Sequence, residues 1–302
     1  MSKFAEKIIK KFPYIKESIL IAPLTAYKIG GPADFYCEAE NPDEIPELIG
    51  LCIKYNVKYY ILGGGCNTVF ADEGFRGVLI KFTAKDIRIK GNILIADAGA
   101  MLGLVVTSAR QHNLGGITKL TGLPGSIGGA VYGNAGAQGA EIGDFIEKVK
   151  LYDSQKGIHE EKKDYFKFSY RNSILKKTKE IVLTVTLKLP PYKKEDDISS
   201  DVLKFRAEKQ PKGNVAGSFF KNPSKETSAG MLIDQAGLKG TKIGDIEISN
   251  LHGNWLMNLG NGKQKDIIAL AKLIKTEVKN RFKVDLEPEN IIIDQYGNLV
   301  DI

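Results

Sequence analysis

The ten residues Thr121-Gly122-Leu123-Pro124-Gly125-Ser126-Ile127-Gly128-Gly129-Ala130 constrain this chain more than any other stretch. They carry too little side-chain bulk to build a core, so their use must lie in letting backbone approach something closely. Hydroxyls among the glycines suit a short helix whose N-terminus faces an anion; a loop packed tightly under a neighbouring helix is the alternative. The run continues into Val131-Tyr132-Gly133-Asn134-Ala135-Gly136-Ala137. A second cluster, Gly63-Gly64-Gly65-Cys66-Asn67-Thr68, ends an apolar strand-like stretch, where backbone N–H groups can close on a phosphate. It lacks the Gly-x-Gly-x-x-Gly spacing of a dinucleotide turn and the Lys-Ser/Thr of a P-loop, and an ordinary tight turn fits it as well. Two such loops in one chain suggest one pyrophosphate gripped from two sides.

Around these loops the hydrophobic period keeps switching. Asp43 is expected to cap a helix that tolerates Pro46 in its first turn and repeats Ile45, Leu48, Ile49, Cys52 and Ile53 on one face. Strands are expected at 57–62 and 78–80. Ile87–Lys90 and Ile93–Ala96 flank Gly91-Asn92, a two-residue hairpin signal. Leu102, Leu104, Val105, Val106 and Ala109 fit a helix stopped by Gly115-Gly116. Residues 149–189 read mostly as strand, and 198–209 as helix. Pro211-Lys212-Gly213-Asn214 then leads into a last domain, with a helix near 229–236 and strands near 246–249 and 255–258. A long helix over about 265–282 places Ile267, Leu270, Ala271, Ile274 and Val278 on its core face, and a terminal hairpin turns at Tyr296-Gly297-Asn298. The pattern is α+β, in at least two domains.

At 302 residues the chain exceeds what one core usually serves. Forty-three Lys+Arg against 36 Asp+Glu leave a charge of +7, which suits an anionic partner and equally suits mere solubility. Cys37, Cys52 and Cys66 show no Cys-x-x-Cys spacing and His112, His159 and His252 are scattered, so neither a disulfide framework nor a metal site is expected. The charged start and the want of an apolar run of about 18–20 residues point to a cytoplasmic protein without a membrane span.

Three further segments carry candidate chemistry. In Tyr170-Arg171-Asn172-Ser173 a permanently charged fork follows the aromatic stretch Tyr165-Phe166-Lys167-Phe168 and suits a carboxylate, although surface arginines are common. Gly217-Ser218-Phe219-Phe220-Lys221-Asn222-Pro223 sets a small hydroxyl before two aromatics, as a strand entry also would. Leu286-Glu287-Pro288-Glu289-Asn290-Ile291 has two carboxylates just before a strand, ordinarily a solvated turn.

Taken in order, these segments resemble one family, the UDP-N-acetylenolpyruvoylglucosamine reductases, flavoenzymes of peptidoglycan precursor synthesis. The likeness runs from Ile29-Gly30-Gly31 through both glycine loops, Asn134-Ala135-Gly136-Ala137, Tyr170-Arg171-Asn172-Ser173 and Ala216-Gly217-Ser218-Phe219-Phe220-Lys221-Asn222-Pro223. It ends with Ala229-Gly230-Met231-Leu232-Ile233-Asp234-Gln235-Ala236-Gly237-Leu238-Lys239-Gly240 and Leu286-Glu287-Pro288-Glu289, covering about residues 24–294. The resemblance implies an α+β chain with a two-part FAD-binding region of the vanillyl-alcohol-oxidase type (1–84 and 85–209) and a separate α/β substrate-binding domain (210–302). Strands near 290–302 are allowed to return to the first part. It further implies non-covalent FAD, NADPH as hydride donor, a nucleotide-sugar substrate, a monomer, and no nucleic-acid or membrane partner.

By the same resemblance Ser218 is the proton donor, with Arg171 and Glu289 beside it in the catalytic set. Gly63, Gly64, Gly65, Cys66, Asn67, Thr68, Thr121, Gly122, Pro124, Gly125, Ser126, Gly128 and Gly129 fall on the FAD contacts, and Asn222 and Lys209 on the nucleotide sugar. Cys66 stands where serine is usual and Gly133 where methionine often precedes the Asn-Ala-Gly. The short stretch between Arg171 and Arg206 marks the shorter subtype without a tyrosine-bearing lid. Two other readings remain: an oxidase on the same kind of FAD-binding fold, whose covalent forms need a histidine that neither loop has, and a nucleic-acid binder that would stack bases on Tyr165, Phe166 and Phe168.

Overall fold

The computed structural model describes residues 3–302. The chain divides into two compact units. The first comprises Met1–Lys16, Tyr36–Gly64 and Val78–Arg206; the second comprises Glu17–Phe35, Gly65–Gly77 and Ala207–Ile302.

In the first unit five strands form an antiparallel sheet in the order Gly157–Lys162, Ile146–Asp153, Ile181–Lys188, Ile93–Asp97, Ile87–Lys90. The central strand, Ile181–Lys188, is buried on both faces, because the short helix Ile127–Gly133 packs against it. The edge strand Gly157–Lys162 carries charge instead, a protection against pairing with another chain. Tyr59–Leu62 pairs in parallel with Val78–Lys81 in the same unit.

The expected helix at 45–53 forms as Ile45–Lys54, and Ile45, Leu48, Ile49 and Cys52 are buried; Ile53, at 52% exposure, is not on that face. Asp43 does not cap it. Asn41 does the capping, accepting the Asp43 N–H at the start of a 3-10 turn, Pro42–Glu44, that feeds the helix. Asn56, left-handed at φ 54, ends that helical segment and delays the strand to Tyr59. The helix Leu102–Gln111 likewise stops before the glycine pair, at Asn113 with φ 57, and Leu104 is 57% exposed. Asparagine tolerates this conformation through its short polar side chain, so the second helix stops before the glycine pair that periodicity favours, while the first ends where the period changes, at Asn56. Strand does not run unbroken to residue 189: Lys163–Phe166 is a 3-10 turn and Leu175–Thr178 a helical turn. Pro32–Ala39 and Thr68–Phe70 are strands that the periodicity did not isolate.

The second unit is built on a meander, Lys242–Ile243, Ile246–Ile248 and Leu256–Asn258, and two helices, Ala229–Gln235 and Gln264–Phe282. Ile267, Leu270, Ala271, Ile274 and Val278 are all buried, as their spacing on the long helix requires. They join Phe219, Phe220, Tyr27 and Ile292 in one core. Ile291–Ile293 pairs in parallel with Thr68–Phe70, and the Gln264 side chain holds both strands: its Nε2 donates to the Val69 and Ile293 carbonyls at 3.2 and 2.7 Å. Among the described residues no helix is long and apolar enough to cross a membrane.

Candidate active site

The first glycine loop follows directly from Tyr59–Leu62, and its backbone lies against that of the second. A Cβ at Gly64 would stand 2.5 Å from Gly125 Cα, and one at Gly63 2.5 Å from Ser126 Oγ. Gly65 has φ +67, and a Cβ there would collide with the Leu24 carbonyl; its own carbonyl accepts the Ala26 N–H at 2.9 Å. Glycine is therefore required at 64 and 65 for different reasons, contact in one case and contact with left-handed backbone in the other.

The helix behind the second loop does not present its first amides to a ligand. Ile127 and Gly128 donate to the Ala100 and Ala98 carbonyls at 2.8 and 2.9 Å, and Gly129 to the capping Ser126 Oγ at 3.3 Å. This corrects the expectation of an anion at that helix N-terminus: neighbouring carbonyls already satisfy the donors. The Thr121 hydroxyl is engaged as well, donating to Thr118 and lying 3.0 Å from Ser199 Oγ. Gly122, Pro124 and Gly129 are exposed, whereas Gly125, Ser126 and Gly128 are buried. Neither loop contains an acidic side chain, and at Gly63 and Gly64 the first loop meets the backbone of Gly125 and the side chain of Ser126. That surface fits the diphosphate of FAD, whose charge it does not oppose and whose oxygens need approach to main chain.

Asn67 links the first loop to a candidate catalytic residue. Its Nδ2 donates to the Glu289 carbonyl at 3.1 Å, its Oδ1 accepts from Asn290 Nδ2 at 2.6 Å, and its carbonyl accepts the Ile291 N–H. Asn290 in turn accepts from the phenol of Tyr27, which burial pushes up in pKa and so keeps as a donor. Thr68 is buried at the start of the paired strand, and Cys66 is half-buried and in no disulfide.

The segment after Ser218 pairs with the one that carries Glu289. Phe219 O accepts the Glu289 N–H at 2.8 Å, Lys221 N–H donates to Glu287 O at 2.9 Å, and Phe220 bridges Pro288. The Glu287-Pro288-Glu289 segment is thus a strand partner and not a solvated turn. Both Ser218 and Glu289 are half-buried, and among the described residues no protein group hydrogen-bonds the Ser218 hydroxyl. Asn222 is exposed; its Oδ1 accepts the Ala229 N–H at the start of the helix Ala229–Gln235. Lys209 is exposed at the end of the helix Ser199–Lys209.

Arg171 belongs to the first unit. It sits in a turn closed by reciprocal Ser169–Asn172 backbone bonds of 3.1 and 2.9 Å, at φ 54. Its guanidinium donates to Gly136 O at 2.9 Å and lies 5.0 Å from the Tyr170 ring centroid; Lys176 Nζ donates to its carbonyl. Beneath it the fully buried Asn134 donates to Glu141 Oε2 and Ser169 O and accepts the Gly143 N–H. The Asn-Ala-Gly-Ala segment and the Tyr-Arg-Asn-Ser turn are therefore one hydrogen-bonded body.

The aromatic stretch before Arg171 does not offer a stacking platform. Phe166 is buried and stacks on Phe168, while Tyr165 OH donates to Glu180 Oε2 at 2.5 Å. Glu180 is buried and also meets Lys156 Nζ at 2.9 Å and His159 Nε2 at 3.2 Å. Burial alone would raise its carboxyl, but the hydrogen bonds from Tyr165 and Lys156 outweigh burial and hold it down at about 2. Downstream of Arg171, Tyr192 OH is committed to Asp197 at 2.9 Å, and no long insertion is present.

Sequence periodicity carried no signal for Asn67, Asn134 and Asn254, whose side chains hold loop backbone, or for Glu180, which holds the side chains of Tyr165, Lys156 and His159. Each is a polar residue inside, visible only once its partners are placed.

Residues 33–161 match the model of an FAD binding domain, and residues 209–293 match that of the UDP-N-acetylenolpyruvoylglucosamine reductase C-terminal domain. The crystal structure of UDP-N-acetylenolpyruvylglucosamine reductase from Thermus caldophilus aligns with a TM-score of 0.79 at 33% identity, over 92% of this chain and 99% of that one. Fold and loops together define an FAD-binding protein of α+β class, an FAD-binding region followed by a C-terminal domain. UDP-N-acetylenolpyruvoylglucosamine reductase of Clostridium novyi (strain NT) is 37% identical over 98% of this chain and 97% of its own length. That of Clostridium botulinum (strain Hall) is 38% identical over 91% and 90%. The chain belongs to the UDP-N-acetylenolpyruvoylglucosamine reductase family.

Proposed function

We propose that this chain reduces the enolpyruvyl ether of UDP-N-acetylglucosamine to the lactyl ether, UDP-N-acetylmuramate, for peptidoglycan precursor synthesis, as a cytoplasmic monomer. The observation that carries the residue assignment is the backbone pairing that sets Glu289 opposite Phe219, the chain neighbour of Ser218. The two glycine loops 63–68 and 121–129 would hold non-covalent FAD, which would supply the redox chemistry between NADPH as hydride donor and the substrate's double bond.

The chain's own residues answer for the rest of the reaction. Hydride arriving at the terminal carbon breaks the C=C π bond and leaves an electron pair on the carbon that bears the carboxylate. Arg171 binds that carboxylate and offsets the enolate-like charge, a contribution of roughly 3–4 kcal/mol for preorganised donors. Glu289 helps by donating a hydrogen bond, as the neutral acid. Ser218 Oγ–H gives its proton to the charged carbon and is reprotonated from solvent. A serine hydroxyl is a weak acid, but such a carbanion is basic enough to take its proton. Asn222 and Lys209 are assigned to the nucleotide sugar.

Measuring the two half-reactions separately tests the assignment. S218A should leave flavin bleaching by NADPH within a few-fold of normal, and slow reoxidation by the enolpyruvyl substrate by about 10²–10⁴-fold. S218C should recover part of that loss. Equal slowing of both halves would mean that Ser218 shapes the pocket and donates no proton.

A further inference from the structure

We propose that Asn254 is a positioning residue for the proton donor, a role that rests on the reading of Ser218 given above. Asn254 lies between the strands Ile246–Ile248 and Leu256–Asn258 and is 2% exposed. Its side-chain amide takes both backbone groups of one residue: Oδ1 accepts the Phe220 N–H at 2.9 Å, and Nδ2 donates to the Phe220 carbonyl at 2.8 Å. Its own carbonyl accepts the Phe219 N–H at 2.8 Å. One residue thus does on this side of Phe219-Phe220 what a neighbouring strand would do, while Glu287–Asn290 bonds the other side.

The two sides of Ser218 are unequal. C-terminal to it, every backbone group of Phe219 and Phe220 named above is bonded. N-terminal to it stands Gly217, with φ +79 and open space where a Cβ would be, the backbone that resists displacement least. Ser218 therefore takes its place from Phe219 onward, and a shift of Phe219-Phe220 passes to the hydroxyl undamped. The clamp is itself anchored: Asn254 N–H donates to His252 Nδ1 at 3.2 Å, and Ser249 Oγ accepts the Leu251 and His252 N–H groups. Burying a carboxamide is costly unless its polar atoms are paired, and here both the Oδ1 and the Nδ2 are spent on the residue two places from the proton donor.

A double-mutant cycle on the FAD-loaded full chain decides the matter. N254A should leave flavin reduction by NADPH near the parent rate and slow reoxidation by the enolpyruvyl substrate by about 10²-fold, the scale of a misplacement near 1 Å. In an S218A background the same change should add no more than about twofold, because the group it positions is gone. N254D keeps the acceptor for Phe220 N–H and loses the donor; it should show the same pattern at a smaller size, and it carries the cycle if N254A does not fold. Equal slowing of both half-reactions, or a full-sized effect that persists beside S218A, overturns the proposal. S218A slowing both halves alike would overturn the proton-donor reading itself, an outcome read from that single variant before the cycle is closed.

Discussion

Arg171 stands in a turn at φ 54, while Ser218 leads an extended segment, Phe219-Phe220, that is hydrogen-bonded on both sides. Left-handed backbone costs a residue with a Cβ roughly 1–2 kcal/mol, so the Arg171 turn survives only because its surroundings over-determine it. Those surroundings are the Lys176 ammonium on its carbonyl, the Ser169–Asn172 bonds, and Asn134 and Gly136 beneath. The Ser218 segment carries no such conformational cost of its own beyond a permissive glycine before it. One charged group is thus aimed by a strained turn that side chains hold in place, and one hydroxyl by ordinary pairing plus a single asparagine. Placing a long guanidinium needs many contacts, whereas placing a hydroxyl one carbon from the backbone needs only that the backbone be right.

The largest expected effect removes what both residues serve. G64V puts a branched side chain where even a Cβ meets Gly125 Cα at 2.5 Å, so the purified protein should lack FAD and both half-reactions should vanish. Normal flavin absorbance per chain would reduce the first loop to a turn. Next in size, R171A should slow the substrate half-reaction by about 10²–10³-fold, as losing a preorganised charge-stabilising group does, and leave flavin reduction nearly intact. If instead reduction by NADPH falls in step, the turn supports the flavin and not the substrate.

A smaller effect probes how the Arg171 side is supported. Glu180 holds Tyr165 at the head of the turn-bearing segment, and E180A should cost about 2–3 kcal/mol of unfolding free energy at pH 7, the worth of charge-assisted bonds left unmade. The sign with pH follows from its lowered carboxyl. The contribution is complete above the ordinary value near 4.5 and fades as pH falls towards about 2, so parent and variant should converge in acid. Urea melts at pH 7 and pH 3 test this; a gap that widens in acid would contradict it. Smallest of all, R171G should be more stable than R171A by about 1 kcal/mol, since glycine enters the left-handed region freely, although both are equally inactive. Equal stability would mean that the turn is unstrained.

Much of the site was legible before any coordinates. The glycine loops, Tyr-Arg-Asn-Ser, Gly-Ser-Phe-Phe and Glu-Pro-Glu are local strings, and the buried face of the helix Gln264–Phe282 follows from period alone. The helix stop at Asn113 was misplaced towards Gly115-Gly116, because asparagine's left-handed tolerance is less conspicuous than a glycine pair, whereas the change of period at Asn56 was legible. The anion-facing helix at Ser126 failed for a different reason: its amides are taken by the Ala98 and Ala100 carbonyls, partners more than 25 residues earlier that no local pattern reveals.

Composition and short motifs, then, determined which residues have chemistry to offer and which faces must be buried, since hydrophobic period and residue type are properties of the chain itself. Tertiary structure decided what those residues do with it. Glu289 reads as a solvated turn until Phe219 supplies a strand partner, and Asn254 reads as nothing until Phe220 arrives against it. A hydrogen bond between residues 34 or 70 places apart leaves no periodic trace, because its direction is set by where two backbones meet and not by what either stretch would do alone.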